Sequence, residues 1–70
     1  MGILQVLDDN RVRILDQVPG AQVVMIGMRS GERKIIVVVD EVTDKVTKAI
    51  GQLEPSLGGF RLVAEPAHKV

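Results

Sequence analysis

The segment from Ile35 to Val39 is a run of five consecutive β-branched aliphatic residues. β-branched side chains favour extended backbone, and in a strand successive side chains point to opposite faces of the sheet. Ile35, Val37 and Val39 therefore share one face of the strand. The residues between them are equally apolar and lie on the other face, so the fold must cover both sides of this strand or leave one exposed.

The preceding segment has the same property. Gln22 to Met28 is rich in valine, isoleucine and methionine, and Val23 and Met25 alternate with apolar neighbours. The link from Arg29 to Glu32 contains the dipeptide Ser-Gly, which is common in tight turns. The two segments therefore predict a β-hairpin with strands over 22–28 and 34–39.

The small size of the chain makes it important that both faces of these strands are apolar. Its 70 residues are enough for a single domain, spanning 1–70. A domain of this size buries only about 60% of the surface that its unfolded form exposes, so its core alone gives marginal stability. Disulfides, structural metals or oligomerisation usually supply the remainder. The sequence has no cysteine, which excludes disulfides and thiolate metal sites, so we expect association.

A helix is predicted after the second strand. Asp40 or Thr43 is a suitable N-cap for it. Gly51 lies inside it and costs about 1 kcal/mol relative to alanine, which we interpret as a close packing contact. The residues that recur at helical spacing are Val46, Ala49, Ile50 and Leu53. After a glycine-rich loop, Phe60 to Ala64 predicts a last strand that Pro66 ends.

The N-terminal segment is open to three interpretations. Its apolar residues fit one face of a helix that ends at Val18, which we favour. The alternation of Arg11 to Ile14 fits a strand instead. A mixed interpretation places an extra strand at Ile3 to Leu7 and a helix from Asn10 onwards. Asp8 and Asp9, with Asn10, are poor residues for a helix interior, so an unbroken helix is expected to be strained there.

Together these elements predict an α+β fold, a small two-layer sandwich. The order is helix-strand-strand-helix-strand, with an extra N-terminal strand as an open alternative. We expect an antiparallel sheet with both helices stacked on one face.

Two short helices cannot cover both faces of such a sheet. We expect Ile36 and Val38 to lie under the helices. The other set, Ile35, Val37 and Val39, then forms an interface with another copy or a partner, because large exposed apolar patches usually mark interaction sites. An error of one residue in register exchanges the two sets. The N-terminal segment could instead wrap over the second face. The residues predicted at the interface are Ile35, Val37, Val39, Val23 and Met25.

The sequence offers no evident catalytic apparatus, and we predict a protein that is not an enzyme and has no cofactor. Nucleophilic catalysis needs a nucleophile beside a base. The single histidine, His68, is close to the C-terminal end, and Ser30 and Ser56 lie in predicted turns. The adjacent acids Asp8-Asp9 and Asp40-Glu41 lack the spacing of a calcium loop, so no metal site is predicted.

The amino-acid composition indicates which classes of partner the chain can bind. Nine basic and nine acidic side chains cancel, and Phe60 is the only aromatic residue, so the sequence lacks the basic, aromatic surface typical of nucleic-acid binding. The longest apolar run is too short to span a bilayer. No charged and then apolar leader opens the chain. We therefore expect a cytoplasmic location, no membrane or nucleic-acid partner, and a homo-oligomer or a protein partner.

Residues 22–65 resemble an ACT-type regulatory domain. The resemblance lies in Lys34 to Asp40 and in the helical pattern that starts at Val46. It implies a ferredoxin-like fold, pairing of sheets across subunits and sensing of amino acids. The loop in which such domains carry a glycine corresponds to Asp8 to Asn10 here, so the resemblance assigns no ligand residues.

The chain also resembles the cytoplasmic domain of cation-efflux transporters. Val18-Pro19-Gly20 before the first strand and Val63 to Pro66 at the end carry this second, weaker likeness. It implies dimerisation and metal binding through histidines, but the histidine expected in the second helix is missing.

The sequence thus predicts a non-catalytic interaction or assembly module that self-associates through an apolar sheet face. The alternative is a small-ligand-sensing regulatory domain, ACT-like, with an effector site at the subunit interface.

Overall fold

The structure, a computed structural model, describes residues 2–67. It contains helix α1 (Ile3–Gln17), strands β1 (Ala21–Arg29) and β2 (Glu32–Val39), helix α2 (Asp44–Leu53) and strand β3 (Leu62–Pro66). A single 3-10 turn, Glu54–Ser56, follows α2. The predicted order of helix, strand, strand, helix and strand is confirmed.

The N-terminal segment is one continuous helix, so the alternative of an extra strand at Ile3 to Leu7 is wrong. Side-chain pairs at i,i+3 and i,i+4 spacing along the helix surface offset part of the poor propensity of its acidic centre. Asn10 Nδ2 donates to the carbonyl oxygen of Val6 at 2.9 Å. Gln5 donates to Asp9 at 3.0 Å, and Arg11 forms an ion pair with Asp8 at 3.3 Å.

The hairpin turn is formed by Ser30 and Gly31, which have φ angles of 54° and 76°. Two successive residues with positive φ are the mark of a type I′ turn, whose twist matches that of the flanking strands. The turn sets the register of the hairpin, in which Val24 pairs with Val37 and Ile26 with Ile35.

The three strands form a mixed sheet in the order β1-β2-β3. β1 and β2 are antiparallel, but β3 runs parallel to β2, so the prediction of an antiparallel sheet is wrong for this pair. The reason is the connection. Helix α2 carries the chain back along the sheet before β3 begins, and a crossover of this kind joins parallel strands.

The core lies between the sheet and the two helices, which share one side of it. From α1 it includes Ile3, Leu7 and Ile14, and from α2 it includes Val46 and Leu53. The sheet contributes one alternating set of β-residues, which are Val24, Ile35, Val37, Val39 and Leu62. The fold is therefore a two-layer sandwich with one sheet face covered and the other open.

Helix α2 begins at the predicted cap Thr43, whose Oγ1 accepts a hydrogen bond from the Val46 amide at 3.3 Å. Asp40, the alternative cap, instead accepts a hydrogen bond from Gln22. Gly51 is exposed, and a Cβ placed on it would meet nothing within 4 Å. The interpretation of Gly51 as a close packing contact is therefore wrong.

We expect Gly51→Ala to raise the free energy of unfolding by about 0.5–1 kcal/mol, because alanine restricts the unfolded chain and fits a helix interior without a clash. Urea denaturation followed by circular dichroism measures the change. Gly31→Ala is the matched control. Its φ of 76° disfavours any side chain, so the same substitution should destabilise the protein. A loss of stability in Gly51→Ala would contradict the open environment assigned to this residue.

Candidate interaction surface: the open face of the sheet

Three of the five residues predicted at an interface lie in the core. Ile35, Val37 and Val39 are fully buried beneath the helices. Their assignment to an exposed face is wrong, and the exchanged alternative applies. The error has a simple origin: both alternating sets of β2 are apolar, so hydrophobicity does not distinguish them, and register alone decides which set the helices cover.

The opposite face of the sheet is not covered by any element in residues 2–67. Val23 and Met25 of β1, which were also predicted at the interface, lie on it and are 47% and 41% exposed. Val38 of β2 and Val63 of β3 are half-buried on the same side. We call this surface the open face and define it by Val23, Met25, Ile36, Val38 and Val63. The register pairs Val23 with Val38, and Ile36 with both Met25 and Val63.

Ile36 is the centre of the open face and is nevertheless fully buried. Gly27, which has no side chain, leaves a gap beside it on β1. A Cβ built on Gly27 would lie 2.5 Å from Ile36 Cδ1 and 3.4 Å from Arg29 Nη1. The glycine therefore makes the depression in which Ile36 and the Arg29 side chain pack. A glycine inside a strand often marks such a close approach, so Gly27 is the feature of the sequence that indicates this contact.

An ion pair crosses the open face over the central strand. Arg29 of β1 donates to Glu65 of β3 through Nε at 2.5 Å and through Nη2 at 2.6 Å. The hydrogen bond to Glu65 raises the pKa of the Arg29 guanidinium above its usual value; desolvation opposes this shift and the charge of Glu65 adds to it. The pair is bidentate, and it places two cancelling charges beside an apolar centre.

A cleft on the helix side of the molecule is the second candidate site. It separates α1 from the 3-10 turn and has a volume of about 370 Å³. Arg13 joins α1 to this turn by donating a hydrogen bond to Ser56, and it also donates to Asn10 on its own helix. We call this feature the α1 cleft and define it by its lining residues, Val6, Asp9, Asn10, Ser56 and Gly58.

The remaining predicted positions add no further cluster. Ser30 lies in the hairpin turn, and Ser56 donates to the Leu53 carbonyl oxygen at 2.8 Å while it accepts from Arg13. His68 lies outside the described residues. Within residues 2–67, no group of three or more histidine, aspartate or glutamate side chains is placed to hold a metal ion. No helix in that range is long and apolar enough to cross a membrane.

No protein-family model, curated protein or solved structure matches this chain. The resemblances to ACT-type and cation-efflux domains therefore stay predictions.

The packing of Ile36 against Gly27 gives a testable prediction. Overpacking a close contact costs about 1–3 kcal/mol, and the restriction of the unfolded chain by alanine returns about 0.4–1 kcal/mol. We expect Gly27→Ala to lower the free energy of unfolding by about 1–2 kcal/mol, measured by urea denaturation. Ile36→Val removes the clashing Cδ1, so the double variant should lose less stability than the sum of the two single changes. Additive effects would contradict the contact.

Proposed function

We propose that this chain is a non-catalytic assembly module that associates with further copies of itself through the open face. The observation that carries the proposal is the exposure of Val23 and Met25 beside the half-buried Val38 and Val63, on the sheet side away from both helices. Apolar sheet faces of this kind are normally packed against another layer.

The electrostatics favour a second copy as the occupant of the open face. The chain has no net charge, so identical molecules do not repel one another over long range. Arg29 and Glu65 on the open face neutralise each other within one molecule, and Lys34 lies on the same face of β2 as Ile36, opposite Gly27. A twofold interface brings the apolar centres of the two copies together.

Lysine substitutions on β2 and β3 test the proposal. Neither strand forms the sheet edge at β1. In monomeric form, Val63→Lys or Val38→Lys can lay its stem on the open face while the ammonium group reaches water. Inside an interface, the same ammonium group is unpaired and costly. We expect both variants to stay folded and to show a lower mass than wild type in sedimentation equilibrium.

Gln52→Lys on the exposed surface of α2 is the matched control and should keep the wild-type mass. Val37→Lys should behave differently again. It places the ammonium in the core and should unfold the chain rather than dissociate it. A wild-type protein that is monomeric at high concentration would contradict the proposed function.

A ligand-sensing regulatory domain is the second candidate, and the α1 cleft is the observation that favours it. Its volume lies at the lower end of the range of about 300–1,000 Å³ that small-molecule sites occupy. Asp9, Asn10, Arg13 and Ser56 supply donors and acceptors of both charges for a small polar ligand. The cleft lies on the helix side, so it is separate from the open face.

Thermal unfolding in the presence of amino acids and nucleotides tests this second candidate. A ligand that binds only the native state at about 100 times its dissociation constant adds about 2.7 kcal/mol of stability. Arg13→Ala and Asn10→Ala should abolish the increase in Tm, whereas Thr47→Ala on α2 should keep it. An equal increase in all three variants would assign the binding to another part of the surface.

A further inference from the structure

We infer that two copies of the chain also pair along the free edge of β1, antiparallel, around a twofold axis at Met25. This pairing joins two three-stranded sheets into one six-stranded sheet. It does not depend on the open face, because it uses backbone groups at the sheet edge and a flank of α1.

The first observation is the unguarded edge of β1. β1 has nine residues and pairs only with β2 among the described strands, so its other side presents free backbone donors and acceptors. Natural edge strands are usually kept short or interrupted by proline, lysine or bulges. The segment from Val23 to Met28 contains no proline, no lysine and no bulge. The register irregularity of β1 lies before it, between Ala21 and Val23. The other edge, β3, has five residues and ends in Pro66.

The second observation is an exposed leucine on the flank of α1 that lies on the same side as this edge. Arg13 and the residues that line the α1 cleft face the 3-10 turn, so that flank points towards α2. Leu4 lies on the opposite flank at 61% exposure. Leu15 is half-buried on the same flank, and the exposed ion pair of Arg11 with Asp8 lies between the two leucines. α1 packs on β1 and β2, so its outer flank and the β1 edge form a single surface.

The spacing of the layers allows both parts of this surface to meet a second copy. Paired strands lie about 4.8 Å apart, so a helix above the gap between β1 and β2 would lie about 10 Å from its symmetry mate. Packed helices approach to about 8–10 Å. The same twofold axis that pairs β1 with its copy therefore brings the Leu4 flanks of the two α1 helices together.

The register and the charges specify the antiparallel arrangement. Pairing over the full span of β1 places Ala21 opposite Arg29 of the other copy and Met25 opposite Met25, with the regular segment from Val23 to Gly27 around the axis. The hairpin end of β2 carries Arg33 and Lys34 beside a single acid, Glu32, and the other end is followed by Asp40 and Glu41. Antiparallel pairing brings the basic end of one copy to the acidic end of the other, and parallel pairing would align like charges.

Edge pairing would also enlarge the open face. At ordinary strand spacing and rise, the open face of the three-stranded sheet has an area of about 400 Å². A stable interface buries roughly 800 Å² on each partner, which is about twice this area. Edge pairing doubles the area to about that value, and two six-stranded sheets can then stack as a tetramer with the symmetry expected of closed oligomers.

A cysteine at the proposed twofold axis tests the edge pairing directly. The chain has no cysteine of its own, so Met25→Cys introduces a single thiol. A disulfide needs Cα atoms within about 7 Å. Opposed residues of paired strands meet this condition, and residues of stacked sheets, about 10 Å apart, do not. With oxidised glutathione we expect a covalent dimer for Met25→Cys and none for Thr47→Cys on α2. No dimer above that control overturns the inference.

Mass measurements separate this interface from the open face. Leu4→Glu should halve the wild-type mass by removing edge pairing, and Val63→Lys should halve it by removing stacking. If Val63→Lys gives monomers directly, the edge pairing is overturned while the proposed function stands. If Val63→Lys leaves the mass unchanged and Met25→Cys still cross-links, the proposed function fails and the edge pairing stands.

Discussion

The burial of Ile35, Val37 and Val39 beneath the two helices is the constraint on which the rest of the structure depends. These three side chains have no exposed surface, and they lie on the central strand, which both neighbouring strands and both helices must accommodate. At about 1.5–3 kcal/mol for each fully buried aliphatic side chain, this row is a major part of the stability of so small a domain. Once it faces the helices, alternation along the strand directs Ile36 and Val38 to the open face.

Patterns with a local physical cause could be predicted from the sequence. The Ser30-Gly31 turn, the Thr43 cap and the apolar spacing of α2 each depend on residues within a few positions of one another, and each is confirmed. The direction of β3 is a property of the whole chain. It depends on where α2 returns the chain relative to β2, and no residue in β3 encodes it.

The candidate site was predicted only in part, for the same reason. Val23 and Met25 lie on the open face, but Ile35, Val37 and Val39 do not, because a strand that is apolar on both sides carries no mark of which side the helices will cover. Two contacts that shape the surface were missed. Arg29 with Glu65, and Gly27 with Ile36, join residues of different strands, and hydrophobic periodicity contains no information about such pairs.

An exposed edge strand usually exposes a protein to uncontrolled association, because each copy that pairs can present a fresh edge to the next. The two edges of this sheet are unequal in a way that limits this process. If β1 pairs with β1 of a second copy, the twofold contact occupies the long edge of both sheets. The free edges of the joined sheet are then the two β3 strands. β3 is short, its last residue Pro66 has no amide to donate, and the contact between identical edges closes on itself. The same residues that leave β1 open would therefore permit a finite assembly rather than a fibre.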